Sequence, residues 1–480
     1  MATLIELRTE RIRKADELRS LGINPYPSSC DRTHKVAEIL EQFDKLENKE
    51  VTVAGRLMSW REHGPISFGD ISDPTGKIQL YIQKDLLTTT DRTTQTIGYD
   101  HLNLLDVGDI IEATGLVTKT KKGTQSVAPT KVKILAKSIR PLPDKWDGIQ
   151  DPEILQRQRY LDLIVNPEHK YRFEKAAQIL FAIRVFMNKK GFLEIKTPII
   201  QPTYGGTSAK PFKTRVNALG VDYYLAVAHE LYLKRLITAG FENVFNIVGY
   251  FRNEGIDRSH SPEFNMLETM TAYKNYEYNM DLIEEMYKYI GDTVFGKTEF
   301  VVEGHKIDFA KPWRRARMVD LVKEYTGKDL LGEELVKVFE DEVEHKLIEP
   351  TFVMNHPVEV SPLAKALESD PRFVERFEIF IGGIEGGDNW TELNDPIELF
   401  KRFSDQHKRR LAGDEEAHPM DLEFIEMMEY GMPPTTGLGP GIERLTMMFT
   451  EAHNIDDVMF FPMLRPNPPS DVQKQIYGNT

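Results

Sequence analysis

Residues 250–276 read YFRNEGIDRSHSPEFNMLETMTAYKNY. Tyr250-Phe251-Arg252-Asn253-Glu254-Gly255 has the character of a strand end running into a polar loop. That loop holds Arg258 and His260, and Pro262-Glu263-Phe264-Asn265 begins a return strand that reaches Glu268. An arginine on a rigid strand offers a planar fork of donors, which suits phosphate and carboxylate together. The stretch therefore reads as two strands joined by a loop that grips anionic groups.

Working outward, strand-like NVFNIVGYFRNE precedes this loop, and FVERFEIFIGGIE lies about a hundred residues beyond it. Helical patterns alternate with them, at about 168–190, 229–240, 278–295 and 396–412. Residues 146–480 are thus expected to form an α+β domain on a largely antiparallel sheet flanked by helices. Upstream the pattern changes. A helix is predicted from 3 to 20, closed by Gly22, Pro25 and Pro27, and then the runs VTVAGRLMSW, KIQLYIQ, DIIEATGLVTKT and TKVKILAKSI follow, with the turn Asp73-Pro74-Thr75-Gly76 between two of them. Four or five short strands fit a small closed barrel of the OB-fold type, whose strand face binds unpaired bases. Trp60, Arg61, Phe68, Lys77, Gln79 and Tyr81 supply stacking, cationic and amide chemistry for that role. Arg140-Pro141-Leu142-Pro143-Asp144 cannot continue a helix or a central strand, so the boundary is placed near 145 and the domains at 1–145 and 146–480.

Composition sets outer limits. A chain of 480 residues exceeds what one hydrophobic core supports. With 28% charged residues and no apolar run near the ~18 that a spanning helix needs, a membrane role is excluded. Charges occupy the opening residues where a secretion signal needs apolar ones, so a cytoplasmic setting is expected. Cys30 is the only cysteine, which excludes an internal disulfide and any zinc site built on several thiolates. The net charge of -14 is unevenly spread: residues 1–145 carry 22 basic against 20 acidic residues, leaving 39 against 55 for the rest. The smaller part is the one fitted to meet a polyanion.

Common nucleotide signatures are absent: there is no GxxxxGK[ST], no HExxH, and Gly437-Leu438-Gly439-Pro440-Gly441 has Ile442 where the last glycine of GxGxxG belongs. Gly437 to Arg444 instead reads as a flexible glycine segment feeding a helix start, an anion site. Glu378 and Glu385 stand seven apart across Gly382-Gly383. In a flat strand that odd spacing points them to opposite faces, so joint action on a cation requires the glycines to bulge or bend the chain.

Taken together, these stretches resemble the class II aminoacyl-tRNA synthetases. Tyr250–Tyr276 resembles their second motif, Gly437–Arg444 the third, and Lys190-Gly191-Phe192-Leu193-Glu194-Ile195-Lys196-Thr197-Pro198 the first, which in that family forms much of a homodimer interface. The resemblance implies ATP-dependent activation of an amino acid. Arg252 and Arg444 would be catalytic. ATP would meet Arg252, Glu254, His260, Phe264, Glu378 and Arg444, and Glu378 with Glu385 would hold Mg²⁺. Gly205-Gly206-Thr207-Ser208-Ala209-Lys210-Pro211-Phe212 and His229-Glu230-Leu231-Tyr232-Leu233-Lys234 are similar to the lysyl members. Carried across, Gly206 and Glu230 take the α-amino group, Arg252 the carboxylate, Glu268 and Glu392 the ε-ammonium, and Trp390 lines the pocket. In the barrel, Arg61, Phe68 and Gln79 would read the anticodon of tRNA(Lys). The chain departs from the lysyl pattern at Met270, where a tyrosine is usual, at Asp388 for asparagine, at Trp390 for phenylalanine or tyrosine, and at Thr124 for glutamate. Two alternatives stay open at this level: a catalytically inactive relative that only binds RNA, and an enzyme that passes lysine to a protein acceptor.

Overall fold

The computed structural model describes residues 3–143, 151–413 and 419–478, so the domain boundary expected near 145 lies outside the described residues. Contacts divide the chain into two compact units, one of residues 151–465 and one of residues 1–150 with 466–480.

In the smaller unit, helix α1 (Leu4–Ser20) starts at a capping box in which Thr3 and Glu6 satisfy each other's backbone. It stops at Gly22, whose φ of 78° lets Ile23 N–H return to the Leu18 carbonyl at 2.9 Å while both side chains are buried. Five strands follow: β1 (Glu50–His63), β2 (Ile66–Asp73), β3 (Gly76–Gln83), β4 (Ile110–Lys119) and β5 (Gln125–Ala136). They close into a barrel in the order β1-β2-β3-β5-β4. Alternate residues, among them Val51, Val53, Ile71, Leu80, Ile111 and Val132, fill its interior. Strand β2 was not among the runs legible in sequence, because glycine and acids dilute its period of two.

The larger unit is built on an eight-stranded sheet. Its strands in chain order are β6 (Leu193–Glu194), β7 (Asn243–Phe251), β8 (Glu263–Ala272), β9 (Arg314–Arg317), β10 (Thr351–Met354), β11 (Arg376–Ile381), β12 (Ile384–Thr391) and β13 (Thr435–Pro440). Across the sheet they run β9-β10-β11-β12-β13-β8-β7-β6, antiparallel except for the two outermost pairs. One face, carrying Phe245, Leu267, Phe377, Ile379 and Leu438, packs on helices α2 (Lys170–Lys189), α4 (Tyr276–Ile290) and α6 (Ile442–Thr450). The other carries polar side chains at Glu268, Glu378 and Asp388. It is closed beside Met270 by α3 (Glu230–Thr238) and α5 (Pro396–Leu411).

Two sequence expectations are corrected. FVERFEIFIGGIE is a hairpin rather than one bent strand, since Gly382 and Gly383 both take positive φ (63° and 76°) and reverse the chain in a two-residue turn. Gly437 and Gly439 belong to β13 and are no flexible loop: a Cβ on Gly437 would lie 2.7 Å from both Glu392 Oε1 and Met270 Cε. Glycine there leaves room for the Glu392 carboxylate and the Met270 side chain to lie against the strand.

Candidate active site

Strands β7 and β8 pair in register, with Tyr250 opposite Phe264 and Asn246 opposite Glu268. Cross-strand partners share a face, so Tyr250, Phe264, Glu268 and Met270 all project to the polar side of the sheet. The loop between these strands bounds a partly open cleft. Arg252, Glu254, His260, Phe264, Glu385 and Arg444, six residues expected near the nucleotide and its cation, line it together with Gly386, Gly441 and Glu443.

Arg444, in the first turn of α6, ties this cleft together. It donates to the Glu385 carboxylate at 3.0 Å, to the Ser259 carbonyl at 3.3 Å and to His260 Nε2 at 2.7 Å. His260 therefore carries its proton on Nδ1 and donates it to Asp257, 2.8 Å away. Although burial pushes Asp257 up, the donors of Ser259 and His260 bring it down to about 2, which anchors the loop as an anion. Glu443 holds α6 to β8 by accepting from both the backbone and the side-chain amide of Asn265, at 2.9 and 2.8 Å. Arg252 donates only weakly to the Val227 carbonyl (3.5 Å) and rests 5.2 Å from the Phe264 ring centre. No carboxylate lies within ion-pair distance of it among the described residues, which leaves its fork to an incoming anion.

The hairpin β11–β12 puts Glu378 and Glu385 on one face of neighbouring strands, with Phe380 opposite Glu385 and Glu378 opposite Asp388. Gly386, extra in β12, shifts the register so that Asp388 joins them. Glu378 is not a wall of the cleft. Burial pushes it up, but His356 (3.2 Å) and Arg376 (2.7 Å) more than offset this and hold it at about 2. Arg376 also takes Asp388 bidentately, at 3.0 and 2.8 Å, so the extra acid noticed in the sequence is neutralised on the spot. Among the described residues no cluster of three or more His, Cys, Asp and Glu side chains is arranged as a metal site.

Deeper on the same face lies a second group. Gly206, at φ 97°, lets its loop rest against Glu230, because a Cβ would approach Ala228 Cβ to 2.9 Å. Glu230, Glu268 and Glu392 are all buried. Lys234, one turn along α3 from Glu230, bonds to it and to Glu392 Oε2 at 2.5 Å. Trp390 Nε1 donates to that same oxygen at 2.8 Å, whereas Glu392 Oε1 is buried without a partner. Glu268 accepts from Tyr250 Oη at 2.5 Å and from the His229 backbone at 3.1 Å. Desolvation lifts Glu268 to about 7 and Glu392 to about 8. His229, driven down to about 4 by burial, stays neutral; its Nε2–H faces the Gly249 carbonyl at 3.2 Å and its Nδ1 accepts from Thr197 at 2.8 Å.

The sequence reading gave no role to Lys234, Tyr250, His356 or Arg376, although Lys234, Tyr250 and Arg376 lie in stretches it singled out. Two had a local signal: Lys234 follows Glu230 by four residues on a helix, and Arg376 precedes Glu378 by two on a strand. Tyr250 needed the β7–β8 register. His356 comes from a segment just after β10 and had no signal.

On the barrel, Arg61, Phe68 and Tyr81 form one cross-strand row, and Gln79 stands beside it on the same face. Phe68 and Tyr81 stack at 5.4 Å and 16°. Trp60 is corrected: it faces the opposite way, over Gly69, and packs on the barrel core. Thr124 sits in the exposed β4–β5 loop.

The family described as tRNA synthetases class II (D, K and N) matches residues 151–465, and the OB-fold nucleic acid binding domain family matches residues 51–142. The chain is 44% identical to a lysine–tRNA ligase of Fervidobacterium nodosum, over 98% of this chain and 96% of that protein. It is 45% identical to those of Thermoanaerobacter sp. (96% and 97%) and Carboxydothermus hydrogenoformans (96% and 99%).

Proposed function

This chain belongs to the class II tRNA synthetases, and we propose that it activates L-lysine with ATP and passes the lysyl group to the 3′ end of tRNA(Lys). The observation that carries the choice of lysine is the charge balance of the buried pocket. Three acids, Glu230, Glu268 and Glu392, are set against one cation, Lys234. Burial holds Glu268 and Glu392 largely protonated in the empty pocket, and the two ammonium groups of lysine are the cations that let the acids ionise. Its α-ammonium fits beside Gly206 and Glu230, its ε-ammonium between Glu268 and the free Oε1 of Glu392, and its carboxylate at the unpaired fork of Arg252. Aspartate and asparagine bring a single ammonium, so they would leave a buried acid uncompensated, at a cost of several kcal/mol.

The geometry supports in-line attack. A lysine carboxylate oxygen forms the new bond to the α-phosphorus of ATP while the bond to the bridging oxygen breaks and pyrophosphate leaves. Arg252 touches both reacting groups, Phe264 offers its ring to adenine, and Arg444, braced by Glu385 and His260, meets the tail phosphates. Glu378 and Glu385 suit Mg²⁺, an oxygen-seeking ion that keeps most of its waters, because both carboxylates face one side of the hairpin and Glu378 is held ionised. When bound, that ion neutralises phosphate charge. In the second step the terminal ribose hydroxyl of tRNA attacks the acyl carbon and AMP leaves.

Supporting the tRNA as acceptor, the barrel presents Arg61, stacked Phe68 and Tyr81, and Gln79 on one face, the arrangement that holds unpaired anticodon bases. A protein acceptor would give that face no task, and an inactive RNA binder would give none to the poised arginines. Phe181, Leu193, Ile199 and Ile200 are large, apolar and exposed around the first motif, which supports a homodimer burying them. No helix among the described residues is long and apolar enough to cross a membrane, and a cytoplasmic setting accords with the substrates.

A screen of the twenty amino acids by ATP–pyrophosphate exchange is expected to respond to lysine alone, followed by transfer of labelled lysine to purified tRNA and not to protein. Exchange driven by another amino acid, or none at saturating enzyme, refutes the reading.

A further inference from the structure

We propose that Tyr250 is a positioning residue for amino-acid recognition, its phenol fixing Glu268 while its ring joins that acid to the aromatic that receives adenine. The inference rests on the lysine pocket described above. Met270 lacks the hydroxyl expected two residues beyond Glu268, and the structure supplies one from the neighbouring strand: Tyr250 Oη donates to Glu268 Oε2 at 2.5 Å. The tyrosine is almost fully buried. Its ring is clamped between Phe264, stacked at 5.8 Å and 26°, and His229, edge-on at 4.9 Å and 77°. The clamp is itself fixed, since the His229 backbone donates to the same Glu268 oxygen and its imidazole is locked between Thr197 and Gly249. A carboxylate held by two donors on one oxygen leaves the other aimed at the ammonium, already ordered before lysine arrives. Because the same ring backs Phe264, a nucleotide that presses on Phe264 steadies Glu268, and the two substrates favour each other's binding.

Tyr250→Phe removes one oxygen and keeps both ring contacts. In pyrophosphate exchange the KM for lysine is expected to rise about tenfold, with the KM for ATP within about twofold and thermal unfolding little changed. The acid limb of kcat/KM for lysine moves to higher pH, because Glu268 loses a donor that favours its charged form. ATP should then tighten lysine binding less than in the parent protein, as read by calorimetry with and without a non-hydrolysable ATP analogue. An unchanged lysine KM, or lysine and ATP constants rising in step, overturns the proposal. Glu268→Gln run in parallel separates the two levels: if it abolishes the lysine response while Tyr250→Phe is silent, the pocket stands and the role of Tyr250 falls. If neither variant touches the lysine constant, the pocket assignment itself falls.

Discussion

Replacing Glu392 with glutamine isolates the charge that the pocket offers to the end of the substrate. In the parent protein Oε2 of Glu392 is taken by Lys234 at 2.5 Å and Trp390 at 2.8 Å, so Oε1, buried and unpartnered, is the atom left for the ε-ammonium. Glutamine keeps the shape and removes the charge. An ammonium that meets a neutral amide loses a charge-assisted bond in a dry site, about 1.5–3 kcal/mol. At ~1.36 kcal/mol per decade the upper end of that range is about a hundredfold in the lysine constant. Phe264 and Arg444 are untouched, so the KM for ATP should hold within about twofold. Stability should hold as well, because Lys234 keeps Glu230 and the variant trades two acids on one cation for a matched pair. Lysine-dependent pyrophosphate exchange gives both constants and thermal unfolding gives the third check. Lysine and ATP constants rising together, or a lysine constant that does not move, would refute the assignment of Oε1 to the substrate.

Lys234→Met should instead destabilise the fold, since it leaves Glu230 and Glu392 buried without their cation, and the loss should deepen as pH rises past about 8, where Glu392 is forced to ionise; denaturant unfolding at about pH 6 and about pH 9 checks this. Glu268 and Glu392 are raised from the ordinary 4.5 to about 7 and about 8, so they favour the fold when protonated, and the ligand-free protein should lose stability as pH climbs from about 4.5 to 8. His229, lowered to about 4, acts the opposite way and weakens the fold as pH falls from about 6.5. Two acids outweigh one histidine above about pH 4.5, so the melting temperature should peak near about pH 5 and fall toward pH 8, and saturating lysine should flatten that fall; a melting curve that rises steadily to pH 8 without lysine contradicts these burial arguments. In the barrel, Phe68→Ala removes one stacking partner and should raise the KM for tRNA about tenfold while leaving pyrophosphate exchange unchanged, which aminoacylation and exchange assays run side by side will show.

Sequence alone determined much of this protein. Local patterns named α1, four barrel strands, the paired strands around Arg252, and the arginines and acids that line the cleft, because amphipathic period, turn residues and a dense string of charged and aromatic groups are all written in short windows. What it could not determine were relations that depend on register. The seven-residue gap between Glu378 and Glu385 read as a geometric obstacle until Gly382-Gly383 proved to reverse the chain and put the two on one face of neighbouring strands, Glu378 opposite Asp388 and Glu385 opposite Phe380. Asp388 read as surplus negative charge, yet one extra residue at Gly386 turns it to Arg376, which absorbs it. Met270 read as a missing hydroxyl. The replacement sits at Tyr250, twenty residues earlier in the chain, and only the antiparallel pairing of β7 with β8 delivers it to Glu268. Side-chain chemistry is local and survives in the sequence, whereas the charge state of a buried acid is set by whichever cations and donors the folded chain brings within about 3 Å, and that is decided only when the strands align.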